Sequence, residues 1–290
     1  MHKDLKLSLA IINCYPKTSR ENFDKQNVGH PHNLYMDAIK RYVPNAEFDL
    51  IFVADSDTEL PTGANLNSYD GYIWTGSDLT LYKTDDERVT RQVELSKAIY
   101  EAGVPAFGSC WALQMAVWAS GGDVKANPKG REWSVARNIT KTDAGKESML
   151  LKGKPDVYDG FIMHLDEVTT LSSGTILLAT NDHSHVQAVE VKHKNGTFWA
   201  TQYHPEYTFF EMARLIQARA NPLVKEGFFE AVEDVQKYAD AMFALHHNPD
   251  SDDLRSVFKV GDDIIDADIR QQEIRNWIDY LVLPSLRTDS

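Results

Sequence analysis

Cys110 lies where an apolar strand is predicted to give way to an apolar helix, in the segment GVPAFGSCWALQ (residues 103–114). A sharp turn between a strand and a helix lifts the central side chain above the sheet, and small neighbours leave room for it. The helix dipole lowers the pKa of a thiol at this position and favours the reactive thiolate. The segment therefore favours Cys110 as a nucleophile, with a buried structural cysteine as the alternative, which is also our interpretation of Cys14.

A base for this nucleophile is offered by the segment WATQYHPEY (residues 199–207). In an extended chain, residues i and i+2 face the same side, so that His204 and Glu206 would project together beyond a strand. Pro205 stiffens the step between them. A carboxylate beside an imidazole fixes its tautomer and stabilises the imidazolium, which is the role of the third member of a catalytic triad. The alternative is a chance His-x-Glu on a surface strand.

A third segment, YIWTGSD (Tyr72–Asp78), reads as a strand that ends in glycine at the same edge of the sheet. The backbone N–H groups of Gly76 and Ser77 could stabilise an oxyanion there, together with the N–H of Trp111. Taken alone, a strand followed by glycine is an ordinary start of a loop.

The pattern of elements around these segments alternates between strands and helices over the first 205 residues. Strands are predicted at 5–14, 48–54, 71–77, 134–142, 157–164, 175–180 and 186–193, with helices at 34–43 and 85–102. Asn195-Gly196 predicts a hairpin turn, so the sheet should be mixed and mostly parallel, flanked by helices in an α/β fold. Tyr15–Asn33 is predicted to be a long loop, long enough to fold over the strand ends.

After Thr208 the pattern is helical, which predicts two units: a catalytic domain over residues 1–210 and a helical C-terminal extension over 211–290, packed on it. The extension would cap the main domain or form a homodimer contact, and the sequence leaves both open. Ala102–Gly122 has no charged residue over 21 positions. Gly108 and Ser109 interrupt it, so a buried strand, turn and helix are predicted here in place of a membrane span.

The composition limits the classes of partner. The net charge of −13 repels phosphate backbones and anionic lipid, so neither nucleic acid nor a membrane is expected as a partner. Two cysteines far apart in the sequence suit a reducing compartment, and the first residues do not resemble a signal peptide. We therefore predict a cytoplasmic protein that acts on a small molecule.

Three segments together resemble the class I glutamine amidotransferase family, and in particular the amidotransferase domain of GMP synthase: Thr75–Ser77 (TGS), Gly108–Gln114 (GSCWALQ) and His204–Glu206 (HPE). In that family a cysteine attacks the γ-carboxamide of glutamine, ammonia leaves, and water hydrolyses the γ-glutamyl thioester. The resemblance covers roughly Leu5–Phe210 and implies a flavodoxin-like amidotransferase fold without a cofactor or a metal.

The resemblance also implies a role for each matching position. Cys110 would be the nucleophile, His204 the general base and then acid, and Glu206 the carboxylate that orients it. The oxyanion hole would be formed by Gly76, Ser77 and Trp111. Substrate-binding positions are implied at Gln114, Met163, His164 and Leu165.

Two positions depart from the family pattern, since Ala112 and Leu165 stand where the family usually has glycine. Leu165 would change the floor of the glutamine pocket and with it the specificity for glutamine. The neighbouring tryptophans suit a leaving amine bulkier than ammonia, unless they lie in the core. They are Trp74, Trp111, Trp118 and Trp133.

Other active-site patterns match less well. GSCWA also resembles the signature of papain-type proteases, but Phe107 stands where those enzymes have a cysteine, and the chain lacks their disulfide framework. Pairs of histidines, such as His30 and His32, have no third ligand at a characteristic spacing, so no metal site is expected. Neither a Walker loop nor a GxGxxG motif occurs.

The sequence therefore predicts a cysteine-dependent amidohydrolase that cleaves a γ-glutamyl amide through a Cys110 thioester and releases glutamate with ammonia or an amine. A first alternative is a glutaminase subunit that supplies ammonia to a separate synthase. A second is an amidotransferase-like protein that binds a partner without catalysis.

Overall fold

A computed structural model describes residues 2–288, and its centre within these residues is a nine-stranded mixed sheet. The strands of the chain are β1 (Ser8–Asn13), β2 (Glu47–Phe52), β3 (Gly71–Trp74), β4 (Ala106–Ser109), β5 (Asp123–Ala126), β6 (Glu132–Lys141), β7 (Val157–His164), β8 (Asp166–Thr170), β9 (Thr175–Thr180), β10 (Ala188–His193) and β11 (Gly196–Thr201). The order in the sheet is β2-β1-β3-β4-β11-β10-β9-β6-β7, and β5 pairs with β8 separately. β2, β1, β3, β4 and β11 pair in parallel, while the other neighbours are antiparallel. The predicted fold class is confirmed.

Helices cover the sheet and form most of the chain after residue 208. They are α1 (Lys17–Lys25), α2 (Pro31–Lys40), α3 (Glu87–Ala102), α4 (Trp111–Ala119), α5 (Asp143–Glu147), α6 (Phe209–Ala218), α7 (Ala220–Lys225), α8 (Val232–His247), α9 (Asp252–Phe258), α10 (Asp262–Ile265), α11 (Ala267–Arg270), α12 (Gln272–Trp277) and α13 (Leu283–Thr288). A π-helical turn at Ile278–Val282 joins α12 to α13.

The central elements follow from their sequence. Every residue of β3 and β4 is buried, as expected for parallel strands covered on both faces. The Asp86 side chain accepts the N–H of Arg88 at the start of α3, and Gly103 ends that helix at a φ of 80°. β4 and α4 account for most of the uncharged stretch Ala102–Gly122, which confirms the predicted buried strand, turn and helix. No helix within residues 2–288 is both long and apolar enough to span a bilayer.

The ends of the predicted strands and helices agree with the structure to within three residues, but two predictions of local structure fail. Tyr15–Asn33 is not one long loop, because it holds α1 and the first residues of α2. The sequence of α1, KTSRENFDK, is polar, and its one buried side chain, Phe23, packs on Tyr15 with ring centroids 4.9 Å apart. A single buried residue leaves no apolar periodicity to detect. The short strands β5 and β8 were also missed.

The helices after residue 208 share a core with the central sheet. Phe161 and Met163 of β7 cluster with Met212 and Ile216 of α6 and with Met242 of α8. Helix α6 itself crosses the proposed boundary at residue 210. The division into 1–210 and 211–290 therefore stays a prediction, while the contact between the two segments is extensive.

A buried ion pair fastens the last helices to the sheet. Lys154 and Glu273 of α12 lie 3.2 Å apart, with side chains 1% and 0% exposed. Tyr203 donates its hydroxyl to the same Glu273 oxygen at 2.6 Å, and its ring packs edge-on against Tyr158. Removing one partner of such a pair leaves an uncompensated charge in the interior.

We expect Glu273→Leu to lower the free energy of unfolding by about 3–5 kcal/mol, because Lys154 then keeps a buried charge without a counterion. The double variant Lys154→Met/Glu273→Leu should recover much of the loss, since both charges are gone. Asp234→Ala, which removes the exposed ion pair with Lys237, is the control and should cost less than about 1 kcal/mol. Urea titrations measure all three. A Glu273→Leu protein as stable as wild type would contradict a structural role for the pair.

Candidate active site

Cys110 occupies a strained turn between β4 and α4, where its φ of 58° and ψ of −107° fall outside the ordinary regions for a side-chain-bearing residue. Its backbone N–H donates to the carbonyl of Thr201 at 2.7 Å, which ties the turn to the end of β11. Gly108 makes the turn sterically feasible, since a Cβ there would lie 2.4 Å from the Ala112 Cβ and 2.5 Å from the Trp74 carbonyl oxygen. The structure thus contains the strand-to-helix turn that the sequence predicts.

The two cysteines have different surroundings, and both are free thiols. Cys110 is 7% exposed, lines a cleft, and has its sulfur 3.8 Å from the carbonyl oxygen of Met163. Cys14 is fully buried, and burial raises the pKa of its thiol far above the usual range. The structure therefore gives only Cys110 access to a substrate.

His204 and Glu206 project together, as the i, i+2 spacing predicts. His204 Nδ1 lies 2.7 Å from Glu206 Oε1, and both side chains are almost completely buried. The backbone N–H of His204 donates to the carbonyl of Phe161 at 2.7 Å, which holds the segment against β7. With Nδ1 bonded to the carboxylate, Nε2 is the ring nitrogen left to exchange a proton with Cys110.

Ser109 and Tyr35 complete this arrangement, and sequence reasoning missed both. The Ser109 hydroxyl donates to Glu206 Oε1 at 2.8 Å and accepts the hydroxyl of Tyr35, also at 2.8 Å. Ser109 immediately precedes the nucleophile, so a polar residue in a fully buried strand was a usable signal. Nothing in the sequence marks Tyr35.

The charge state of His204 is set by its neighbours. Burial by itself lowers the pKa of its imidazole, but the Glu206 carboxylate and the Cys110 sulfur outweigh burial and raise the pKa to about 10. The ring of Tyr207 stacks on the imidazole with centroids 4.4 Å apart and planes 10° apart. These contacts favour the imidazolium form of His204, which can give a proton to a leaving group.

The proposed oxyanion donors lie beside the thiol. A Cβ on Gly76 would lie 3.3 Å from the His204 ring and 3.8 Å from the Cys110 Cβ, so this backbone directly adjoins the site. Within residues 2–288, the N–H groups of Gly76, Ser77 and Trp111 make no hydrogen bond with the protein. Trp111 is the first residue of α4, where the N–H groups point away from the helix. All three N–H groups are free to bind an oxyanion.

The thiol opens into a cleft of about 280 Å³. Each position implied for substrate binding lines it: Gln114, Met163, His164 and Leu165. Gln114 Nε2 donates to the carbonyl of Asp166 at 2.8 Å and to Gln202 Oε1 at 3.2 Å, while its own Oε1 accepts no bond from residues 2–288. His164 uses both ring nitrogens elsewhere, on the Asp166 carbonyl and on Glu132. A contribution of His164 to binding would therefore come from its backbone.

The expectation that the tryptophans surround the leaving amine is wrong for three of the four. Trp74 is fully buried in the core, Trp118 packs against the same core, and Trp133 packs against Phe228 and neighbouring rings. Trp111 does line the cleft. The other aromatic side chains of the cleft wall are Tyr15, Tyr82 and Tyr207.

Known proteins share both the sequence and the architecture of this chain. Residues 33–218 match the model of the family described as glutamine amidotransferase class-I. The chain is 31% identical over 287 residues to the gamma-glutamyl-L-1-hydroxyisopropylamide hydrolase of Pseudomonas sp, and the match covers 97% of this chain and 95% of that protein. It is also 31% identical over 136 residues to the GMP synthase of Latilactobacillus sakei, over 47% of this chain but 24% of that protein.

A solved glutamine amidotransferase from Thermotoga maritima has the same fold, with a TM-score of 0.65 at 17% identity. This likeness covers 95% of the present chain and 98% of the Thermotoga protein. The sequence matches support the hydrolysis of a γ-glutamyl amide by an amidotransferase-type enzyme, and the predicted resemblance is confirmed. Since the family model spans more than half of the chain and the Pseudomonas relative aligns over nearly all of it, the chain belongs to the class I glutamine amidotransferase family.

Proposed function

We propose that this protein is a free-standing hydrolase that cleaves a γ-glutamyl amide whose amine is larger than ammonia. The observation that carries the proposal is the linked arrangement of Cys110, His204 and Glu206 at the base of one cleft. All three roles of a nucleophilic amidohydrolase are filled by side chains in contact.

In the first half of the reaction, the Cys110 sulfur attacks the γ-carbonyl carbon and a C–S bond forms. The carbonyl oxygen becomes an oxyanion, which the N–H groups of Gly76, Ser77 and Trp111 would stabilise. The intermediate then collapses, the C–N bond breaks, and the His204 imidazolium gives its proton to the departing amine. The product is a γ-glutamyl thioester on Cys110.

In the second half, His204 removes a proton from water as the water oxygen attacks the thioester carbonyl. The C–S bond breaks, and glutamate leaves with the thiolate restored. Glu206 keeps the imidazole in one tautomer and stabilises its protonated form through both steps. Tyr207 holds the ring in plane by stacking.

The γ-glutamyl half of the substrate is assigned to the end of the cleft formed by Gln114 and the segment 163–166. The unused Gln114 Oε1 can accept a bond from the α-ammonium group, and the Asp166 side chain adds a carboxylate to the same wall. Leu165 stands at the mouth with 44% of its surface exposed, where the family usually has glycine. A side chain at this position changes the shape of the pocket and leaves the surroundings of the thiol unchanged.

The extent of the sequence matches favours hydrolysis over ammonia supply. The match to the Pseudomonas hydrolase covers 95% of that protein, whereas the match to GMP synthase covers 24% of the synthase. The hydrolase acts on an amide whose amine carries a hydroxyalkyl group, and we propose that this chain also takes an amine larger than ammonia. An ammonia donor to a separate synthase is the alternative. A cytoplasmic location and a homodimer stay predictions.

The test is the release of amine by the purified protein from glutamine and from a panel of γ-glutamyl alkyl, hydroxyalkyl and amino-acid amides. We expect at least one larger amide to exceed glutamine in kcat/KM by more than tenfold, because pocket contacts of this size are each worth roughly 1–3 kcal/mol. Glutamine as the best substrate, or turnover that requires an added synthase, would establish the ammonia-donor role. No turnover of any amide would favour the binding protein without catalysis.

Cys110→Ala should abolish turnover and leave the fold intact, because the nucleophile is lost while an alanine fits the same turn. In the wild-type protein, iodoacetamide should alkylate Cys110 well before Cys14, which has neither exposure nor a stabilised thiolate. Peptide mass spectrometry after timed labelling measures both rates. Equal labelling of the two cysteines, with activity retained in the variant, would remove Cys110 from the mechanism.

Glu206→Gln should lower kcat by on the order of 10²–10⁴, since the neutral amide no longer fixes and stabilises the imidazolium. Ser109→Ala should lower kcat by about tenfold, because it removes one of the two donors to the same carboxylate. Ser120→Ala is the matched control, since that hydroxyl bonds to Ser172, which is not part of the cleft wall. Steady-state kinetics on one good substrate compares the three, and wild-type kcat in Glu206→Gln would make Glu206 merely structural.

A further inference from the structure

Arg219 is a charged side chain in the cleft wall, and it follows the last residue of α6. Its guanidinium forms no ion pair, hydrogen bond or cation–π contact with residues 2–288. Its Nε atom is buried and unsatisfied. Arg131 in the same wall differs, because Glu226 holds its guanidinium with two bonds of 2.7 and 2.9 Å.

This part of the wall therefore holds two guanidinium groups, those of Arg131 and Arg219. The nearby Glu226 carboxylate makes its direct bonds with Arg131, so Arg219 keeps its donors for another group. A guanidinium that is partly withdrawn from water and left unpaired is costly, and its five donors match a planar carboxylate. The chemistry of this wall thus suits an anionic group on a bound molecule.

The position of Arg219 indicates which part of a substrate would meet it. Leu215, one helical turn before Arg219, also lines the cleft and packs in one apolar cluster with Tyr15 and Tyr207. Tyr207 is the residue that stacks on His204, and the Tyr15 hydroxyl lies 3.5 Å from the place of a Cβ on Gly76. Arg219 therefore belongs to the side of the cleft that adjoins the imidazole.

The leaving amine must also lie beside the imidazole, because it receives its proton from that ring. The α-ammonium and α-carboxylate of the γ-glutamyl group are bonded to one carbon, so both lie at the end formed by Gln114 and Asp166. Arg219 thus faces the amine rather than the glutamate.

We propose that Arg219 binds a carboxylate on the leaving amine, so that the preferred substrates are γ-glutamyl-amino acids. The proposal rests on the γ-glutamyl amide hydrolysis proposed above and names its substrate class. A carboxylate placed against Arg219 satisfies the guanidinium with charge-assisted hydrogen bonds, which a plain alkyl amine cannot form. The contact is a specificity contact, since it touches no reacting atom.

The experiment compares pairs of amides that differ only by a terminal carboxylate in place of a methyl group. γ-Glutamyl-glycine is paired with γ-glutamyl-ethylamide, and γ-glutamyl-β-alanine with γ-glutamyl-propylamide, so that two chain lengths are tested. In the wild-type protein, kcat/KM for the acid should exceed that for its methyl counterpart by more than tenfold in at least one pair. In Arg219→Gln the ratio should fall to about one, with kcat/KM for the methyl amides nearly unchanged.

Arg214→Gln is the matched control, because Arg214 lies on the same helix and stacks on Phe210 and Phe243, which are not part of the cleft wall. It should keep the wild-type ratio, and thermal melts show whether either variant unfolds. An equal loss in all four amides and in glutamine would overturn the proposal and assign Arg219 to the α-carboxylate. A wild-type ratio near one in both pairs would also overturn it, while leaving γ-glutamyl hydrolysis intact. Absence of turnover for every amide would instead refute the proposed function.

Discussion

The burial of the Glu206 carboxylate is the constraint on which the site depends. An ionised carboxylate that is 2% exposed is tolerated only when donors and a counterion surround it. Two donors converge on one of its oxygens: the His204 ring and the Ser109 hydroxyl. Because Ser109 directly precedes Cys110, the strand that presents the thiol also stabilises the carboxylate beside His204. The parallel register that sets Thr201 opposite Ser109 brings the two segments together. The pairing of β4 with β11 therefore fixes the position of Cys110 relative to His204.

A second buried carboxylate supports the same segment from the other side. Tyr203 precedes His204 and donates its hydroxyl to Glu273, which also binds Lys154. The strand that leads to the base is thus held between Glu206, inside the site, and Glu273, which belongs to a helix near the end of the chain. Ion pairs in the interior contribute little net stability, but they tolerate little displacement, since a displaced charge loses its counterion. The helices after residue 208 therefore help to fix the position of the His204 imidazole, in addition to covering apolar surface.

The sequence predicts the parts of the site that depend on local geometry. The strand-to-helix turn at Cys110 and the i, i+2 projection of His204 and Glu206 follow from short segments, and apolar runs predict the buried strands. The bond from Ser109 to Glu206 joins positions 97 residues apart, and only the sheet order brings them together. Nothing in the sequence predicts that Arg219 lines the cleft, because the pattern indicates only a polar residue of a helix. Its position in the cleft depends on how α6 packs. The same limit explains the failed expectation for the tryptophans. A tryptophan in the core and a tryptophan in a cleft wall cannot be distinguished by residue type alone.

A thioester mechanism separates the recognition of the two halves of the substrate in time. The contacts proposed for Gln114 and the segment 163–166 would be needed from binding until glutamate leaves, because the acyl group would stay on Cys110 throughout. The contact of Arg219 with an amine would act only until the C–N bond breaks. Every γ-glutamyl amide yields the same thioester, so the rate of thioester hydrolysis does not depend on which amine has left. Selection among amines is therefore confined to acylation, and it is expressed in kcat/KM even where the common hydrolysis of the thioester limits kcat. Because of this separation, substitutions in a single wall of the cleft could change which amine is preferred as the leaving group. The triad and the proposed glutamate site would remain unchanged.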